Sequence, residues 1–283
     1  MTTRLLVPDD RETLAAFLAT HADSSLFLRS NLRAVGIVDR GETYHATWAG
    51  AFDGDALVAT AAHCWNGNVL VQAPVALPSV VTAAVAGSGR RVTGILGSWA
   101  QLVATRDALE LAAAPTTFVS RDGLFALDVA ALVVPPALAE GRVQCRATVA
   151  ADLPLLVDWR VAYRVELLGQ QDGPALREFA REEVERLHAE ESSWLLETEA
   201  SPVSYSAFNA RLPDVVQIGG VYTPPALRAR GHARAVVAGS LLAVAPSGVR
   251  RSILFTGDEN HAARRAYESI GFRLVGDYGM VLF

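Results

Sequence analysis

The residues of this 283-residue chain that could do chemistry gather near its C-terminus. One group is the stretch RARGHAR, Arg228 to Arg234. Gly231 permits a tight turn and a close ligand approach. Ala233, Val236, Val237, Leu241 and Val244 follow at helical spacing, which predicts a helix starting near Gly231. Successive amides at a helix N-terminus form an anion site, and Arg228 and Arg230 add charge to it. The turn reads either as a diphosphate cradle or as an ordinary arginine-bearing surface turn. It is not a nucleotide P-loop, because GxxxxGK[ST] is absent. The second group is NHAARRAYESIGF, from Asn260. Asn260 stands where a helix cap belongs, and Ala263 and Tyr267 follow three and seven residues later on one helical face. A tyrosine there is either a placed proton donor or a half-buried core residue.

Strands must deliver these groups. VVQIGGVY, Val215 to Tyr222, reads as a strand whose double glycine marks a bulge or a close backbone approach. Pro224 and Pro225 end the ladder, since neither has an N–H to donate. This strand is the third of three runs in Ser192–Pro225, separated by the turn signals ASP and LPD. Thr43–Pro74 repeats the arrangement, with DGD and WNG as its turns. Each triplet is preceded by a short strand and paired helices, and followed by helix, strand, helix and strand. Asp9 and Glu12 predict a capping box for the first helix. The expected fold is therefore α/β with mixed sheets, in two domains of one plan, β-α-α-β-β-β-α-β-α-β. The expected division is 1–138 and 139–283, across the bridge VVPPALAEGR.

Together, the turn and the Asn–Tyr–Gly–Phe helix resemble the GNAT superfamily of acyl-CoA-dependent N-acyltransferases. The family turn, Arg/Gln-x-x-Gly-x-Gly/Ala, is met by Arg228, Gly231 and Ala233, and the family helix by Asn260, Tyr267, Gly271 and Phe272. Ala229 departs from the pattern, in a place where glycine is frequent. The resemblance spans about Gly141 to Phe283. It implies acetyl-CoA as co-substrate, an amine acceptor and direct attack in a ternary complex. It also implies that Val221, Tyr222 and Thr223 pair with the pantetheine arm, which Asn260 contacts. The amides of Ala229, Arg230, Gly231, His232, Ala233 and Arg234 would hold the diphosphate. A strand amide near Val221 would polarise the thioester carbonyl, and Tyr267 would protonate the departing sulfur. The first half has no such turn: VALPSVVTAAV stands in its place, and Ala100 and Asp107 fall near the places of Asn260 and Tyr267. It resembles a degenerate copy.

No carboxylate lies in Val215–Tyr222, which has only Gln217. Among nearby Glu197, Glu199 and Asp214, Glu197 ranks first as the general base. No His/Cys/carboxylate cluster has metal-ligand spacing, so no metal is expected. Acceptors of three kinds stay open: a small or amino-acid-like amine, a protein or peptide amine, or none, in a non-catalytic acyl-CoA-binding module. Apolar residues make up 51% and charged residues 19%, a globular composition. A net charge of −5 argues against nucleic acid. All 25 basic residues are arginine, spread along the whole chain, so the bias singles out no site. Two cysteines make no disulfide framework, and the N-terminus has no signal-peptide core. The longest apolar run is interrupted by Gln72, Pro74 and Pro78, so no membrane span is expected. These features lead to the expectation of a cytoplasmic enzyme, with a homodimer admitted.

Overall fold

A computed structural model describes the whole chain except Ala200 and the side chain of Leu168. Ala200 of the ASP turn thus lies outside the described residues. The first repeat runs β1 (Thr2–Leu5), α1 (Arg11–Thr20), α2 (Leu26–Val35), β2 (Ala46–Asp53), β3 (Ala56–Cys64), β4 (Asn68–Gln72), α3 (Leu77–Ser88), β5 (Gly94–Gly97), α4 (Trp99–Ala108) and β6 (Phe118–Asp128). A short helix, α5 (Pro136–Ala139), follows. The second repeat runs β7 (Gln144–Ala147), α6 (Leu153–Leu168), α7 (Pro174–Ala189), β8 (Ser193–Thr198), β9 (Ser201–Arg211), β10 (Val215–Tyr222), α8 (His232–Val244), β11 (Arg251–Gly257), α9 (His261–Glu268) and β12 (Arg273–Leu282). The plan β-α-α-β-β-β-α-β-α-β occurs twice, and the fold is mixed α/β.

Chain order and compactness divide the molecule differently. One compact unit is Met1–Leu124 with Val275–Phe283; the other is Phe125–Leu274. The first unit has strand order β1-β2-β3-β4-β5-β12. Within it β4 and β5 are parallel, and β12 joins β5 antiparallel, Gly279 opposite Gly97. Val80, Val81 and Ala84 of α3 pack on Ala49, Ala59 and Ala61, whose small side chains admit the helix closely.

The second unit has order β11-β10-β9-β8-β7, with the end of β6 beside β11. Alternation along its strands assigns the two faces. Trp194, Leu196, Phe208, Val216 and Ile218 join Val236, Val237 and Leu241 of α8 and Tyr267 of α9 in one core. Leu195, Tyr205 and Ala207 join Leu156 of α6 and Val184 and Leu187 of α7 in the other.

The helix cap at the N-terminus differs from the Asp9/Glu12 box. A single tight turn, Pro8–Asp10, precedes α1. There Asp10 accepts from the Val7 amide at 2.8 Å and pairs with Arg4 at 2.6 and 2.7 Å. The second repeat builds the same device. Asp152 accepts from the Val149 amide at 2.8 Å and pairs with Arg146 at 2.7 and 2.9 Å. Pro8 opens the first of these turns, but Ala150–Asp152 forms the second without a proline, so the feature they share is the Arg–Asp pair.

Candidate active site

The site grows from a defect in β10. Its parallel pairing with β11 runs from Val215↔Arg251 to Ile218↔Leu254 and ends there. On the other edge, Gly219 opposes Ala207 and Tyr222 opposes Tyr205, so β10 spends an extra residue between the two pairs. This is a β-bulge, with Gly220 at φ +61 as its left-handed residue. The added residue flips the alternation. Val216 and Ile218 face the α8 core, and so does Val221, while the Tyr222 ring turns to Trp159 of α6 with centroids 6.0 Å apart. Beyond Ile218 the β11 side of β10 is free to take an extended partner.

At the end of β10, the Ser204 hydroxyl donates to the Tyr222 carbonyl at 3.1 Å and lies 2.9 Å from the Thr223 hydroxyl. Pro225–Leu227 make one tight turn, and the chain reaches α8 through Ala229 at φ +62 and Gly231 at φ +82. Gly231 is the residue before the helix, and Ala235 makes the first return bond, to its carbonyl. Within the described residues, no acceptor of the fold meets the backbone N–H groups of Ala229 to Arg234. These amides, at the positive end of α8, suit a bound anion. The Arg234 guanidinium folds back over the turn, 3.1 Å from where a Cβ on Gly231 would stand. Burial, and then the charge of Arg230, hold the His232 imidazole below its usual value, so it adds no charge near neutrality.

Arg228 has a different partner from the one its position suggests. Its guanidinium grips both Glu166 oxygens of α6 at 2.6 and 2.7 Å, and its Nε donates to the Thr223 carbonyl at 2.9 Å. The Arg228 hydrogen bond holds the Glu166 carboxyl below the ordinary range. Arg228 therefore ties α6 to the turn with its charge already matched, whereas no carboxylate partner is seen for Arg230 or Arg234 among the described residues.

At the start of α9, the Asn260 side chain accepts from the Ala263 amide at 3.1 Å and caps the helix, leaving its NH2 free to donate elsewhere. Tyr267 sits two turns later, buried in the core that holds Ile218 and Leu254, its ring 6.2 Å from that of Phe272. Burial, and then the neighbouring Tyr163 phenol, push its pKa well above the ordinary tyrosine value. Glu197 is placed elsewhere. It lies on β8, separated from β10 by β9, and its carboxylate takes a 2.6 Å bond from Arg146. An arginine-bound carboxylate two strands away gives a base no geometric support. Burial pushes the Cys145 thiol up to about 12, which suits a packed thiol and not a nucleophile. Among the described residues, no group of three or more His, Cys, Asp or Glu could hold a metal. No described helix is long and apolar enough to cross a membrane.

Sequence reasoning missed Arg160 and Glu183. Arg160 of α6 is 8% exposed and donates through Nε to Glu183 of α7 at 2.8 Å; its Nη2 donates to the other Glu183 oxygen. Arg164 reaches the same carboxylate at 2.9 Å. Burial pushes the Glu183 carboxyl up, but the two arginines outweigh it and leave it below the ordinary value. In a chain rich in arginine, neither residue carried a sequence signal.

The corresponding region of the first unit is closed. After β4 the Ala73 amide donates to the Gln101 side chain of α4 at 2.7 Å, and the residue before α3 is Ala76, not glycine.

Residues 154–272 match the acetyltransferase (GNAT) family. Comparison with curated proteins finds no match. Solved structures share the fold across the chain. An acetyltransferase from the GNAT family of Colwellia psychrerythraea has a TM-score of 0.56 at 14% identity, with 100% of each chain covered. A tandem GNAT protein from the clavulanic acid biosynthesis pathway has 0.57 at 11%, covering 99% of this chain and 97% of its own. A GCN5-related N-acetyltransferase from Sphaerobacter thermophilus has 0.58 at 16%, covering 99% and 94%.

Proposed function

From a chain whose residues 154–272 belong to the GNAT acetyltransferase family, we propose an N-acetyltransferase that moves an acetyl group from acetyl-CoA to the primary amine of a small or amino-acid-like acceptor. The parting of β10 from β11 after Ile218↔Leu254 carries this reading, because it opens strand edges next to the core that holds Tyr267 and precedes the turn into α8. The pantetheine arm lies along Val221, Tyr222 and Thr223 with Asn260 beside it, and the amides of Ala229 to Arg234 take the diphosphate. The amine nitrogen attacks the thioester carbon. A C–N bond forms, the C–S bond breaks, and the electron pair leaves on sulfur. The Val221 amide stabilises the developing oxyanion. Tyr267, whose burial keeps it protonated, gives its proton to the sulfur. Water takes the proton lost by the nitrogen, since Glu197 is bound to Arg146.

The test has two arms. Acetyl-CoA at about 100 times its Kd should stabilise the fold by about 2.7 kcal/mol. For a large domain this is a Tm rise of about 2–4 °C per kcal/mol. Titration calorimetry should give one equivalent per chain, because only the second repeat has a free cradle. An amine panel read by free CoA release then tests transfer. Absence of a Tm rise at millimolar acetyl-CoA would falsify the binding reading. Binding without release for every amine would leave an acyl-CoA-binding module.

A further inference from the structure

Arg160 is built as half of a contact. Its Nε and Nη2 are spent on Glu183, but Nη1 is buried with no hydrogen-bond partner. A Cβ on Gly220 would overlap that nitrogen, so Nη1 lies against the bulge where β10 leaves β11. The Arg160 guanidinium also sits over the Tyr163 ring, 5.0 Å from its centroid, and Tyr163 is the residue whose phenol perturbs Tyr267. The free donor therefore borders the bulge at which β10 parts from β11. Charge points the same way. Arg160 and Arg164 share one carboxylate, Glu183, and the Arg164 Nε is likewise buried without a partner. One positive charge of the trio stays uncompensated in a place nearly closed to water, which is costly unless a ligand supplies the counter-charge.

We propose that Arg160 is the anion-binding residue of the acceptor site and that the acceptor is an amine bearing a carboxylate, of amino-acid type. This rests on the acetyltransferase reading and narrows it. A neutral amine has nothing to offer Nη1. A carboxylate supplies one negative charge, matching the one surplus charge, and an oxygen that can accept from the free Nη1. Gly220, having no side chain, leaves the room that Nη1 itself takes against the bulge. Glu183 acts through Arg160 by fixing the plane of its guanidinium, and is a positioning residue.

The experiment compares amino acids with their carboxamides and decarboxylated amines, first by Tm shift in the presence of CoA and then by kcat/KM with acetyl-CoA. The acids should raise Tm where the carboxamides do not. Their kcat/KM should be about 10- to 100-fold higher, the worth of a hydrogen bond to a charged group. The variant Arg160→Gln, which leaves Glu183 paired one-to-one with Arg164, should erase the preference while keeping the Tm rise with acetyl-CoA. Equal Tm shifts and equal kcat/KM for acids and carboxamides in the unaltered protein would overturn the proposal even if acetyl transfer is robust. So would a preference for aminophosphonates over amino acids. An acid-specific Tm rise without turnover would uphold the anion site and sink the transferase reading.

Discussion

A buried phenol with a raised pKa stays protonated across the physiological range, as a proton donor must. Tyr267→Phe keeps the ring against Phe272 and removes only the hydroxyl. With any acceptor found, kcat should fall roughly 10²–10⁴-fold while acetyl-CoA affinity holds, the mark of an interaction made in the transition state. A tyrosine that only packs would instead lose about 1 kcal/mol of stability and keep its turnover. Parallel kcat and Tm measurements separate the two. Ala229 makes a second case at this scale. Its φ of +62 puts a Cβ in the left-handed region, which costs about 1–2 kcal/mol for an L-residue. Glycine there removes the strain but gains unfolded-state freedom, about 0.4–1 kcal/mol. Ala229→Gly should therefore stabilise by about 0.5–1 kcal/mol, read as a small rise in Tm, with acetyl-CoA affinity equal or higher. A loss of stability would mean that the turn relaxes around the methyl.

Each repeat begins with the same element: an arginine, a turn amide three residues on, and an aspartate six residues on that binds both. Asp152 is held below the ordinary carboxyl value, first by the Arg146 hydrogen bond and then, against burial, by the Val149 amide. The sign follows from linkage. With its folded pKa depressed, the carboxylate contributes stability that is fully present above the unfolded value of 3.8 and is lost as pH falls from there through the folded value. Asp152→Asn should thus destabilise by about 1–2 kcal/mol at pH 7, discounted because Arg146 is partly exposed, and the difference should shrink below pH 4. Denaturant melts at the two pH values measure it, and a deficit unchanged at pH 3 would assign the effect to packing. Elements of this sort were half legible in the sequence. Period-2 and period-3.6 patterns, with their turn residues, announced all ten elements of each repeat, and RARGHA announced the start of α8 at His232. Partners far apart in sequence were not announced. Arg228 meets Glu166, 62 positions away, and Arg160 meets Glu183 across two helices. No local pattern distinguishes those arginines from the other 23, because an ion pair is set by tertiary packing and not by periodicity. Gly219–Gly220 signalled a bulge but not its register, which depends on the facing strand.

At the scale of the whole chain, the repeat and the compact unit do not share a boundary. Each unit contains strand residues from the end of the other repeat: β12 beside β5 in the first, the end of β6 beside β11 in the second. The expected division 1–138 and 139–283 follows the repeat, and we carry it forward as a statement about duplication. It has a measurable consequence when tested as a pair of fragments. Phe125 and Leu127 of β6 are 0% and 2% exposed within the core that also holds Tyr267 and Ile218. Large-to-small changes at two such positions cost about 3–5 kcal/mol for phenylalanine and 2–5 for leucine. Removing the strand altogether costs at least as much and leaves the β11 edge bare, against a total stability of about 5–15 kcal/mol. A 139–283 fragment should therefore melt without cooperativity or aggregate, whereas the chain beginning at residue 118 should keep the second core's β6 residues and melt more sharply. Mixing 1–138 with 139–283 should restore the cooperative transition, since each supplies the strand that the other lacks. Circular dichroism melts of the three preparations decide the matter. A 139–283 fragment with the Tm of the full chain and undiminished acetyl-CoA binding would show that the second repeat closes its own sheet, and that β6 only decorates its edge.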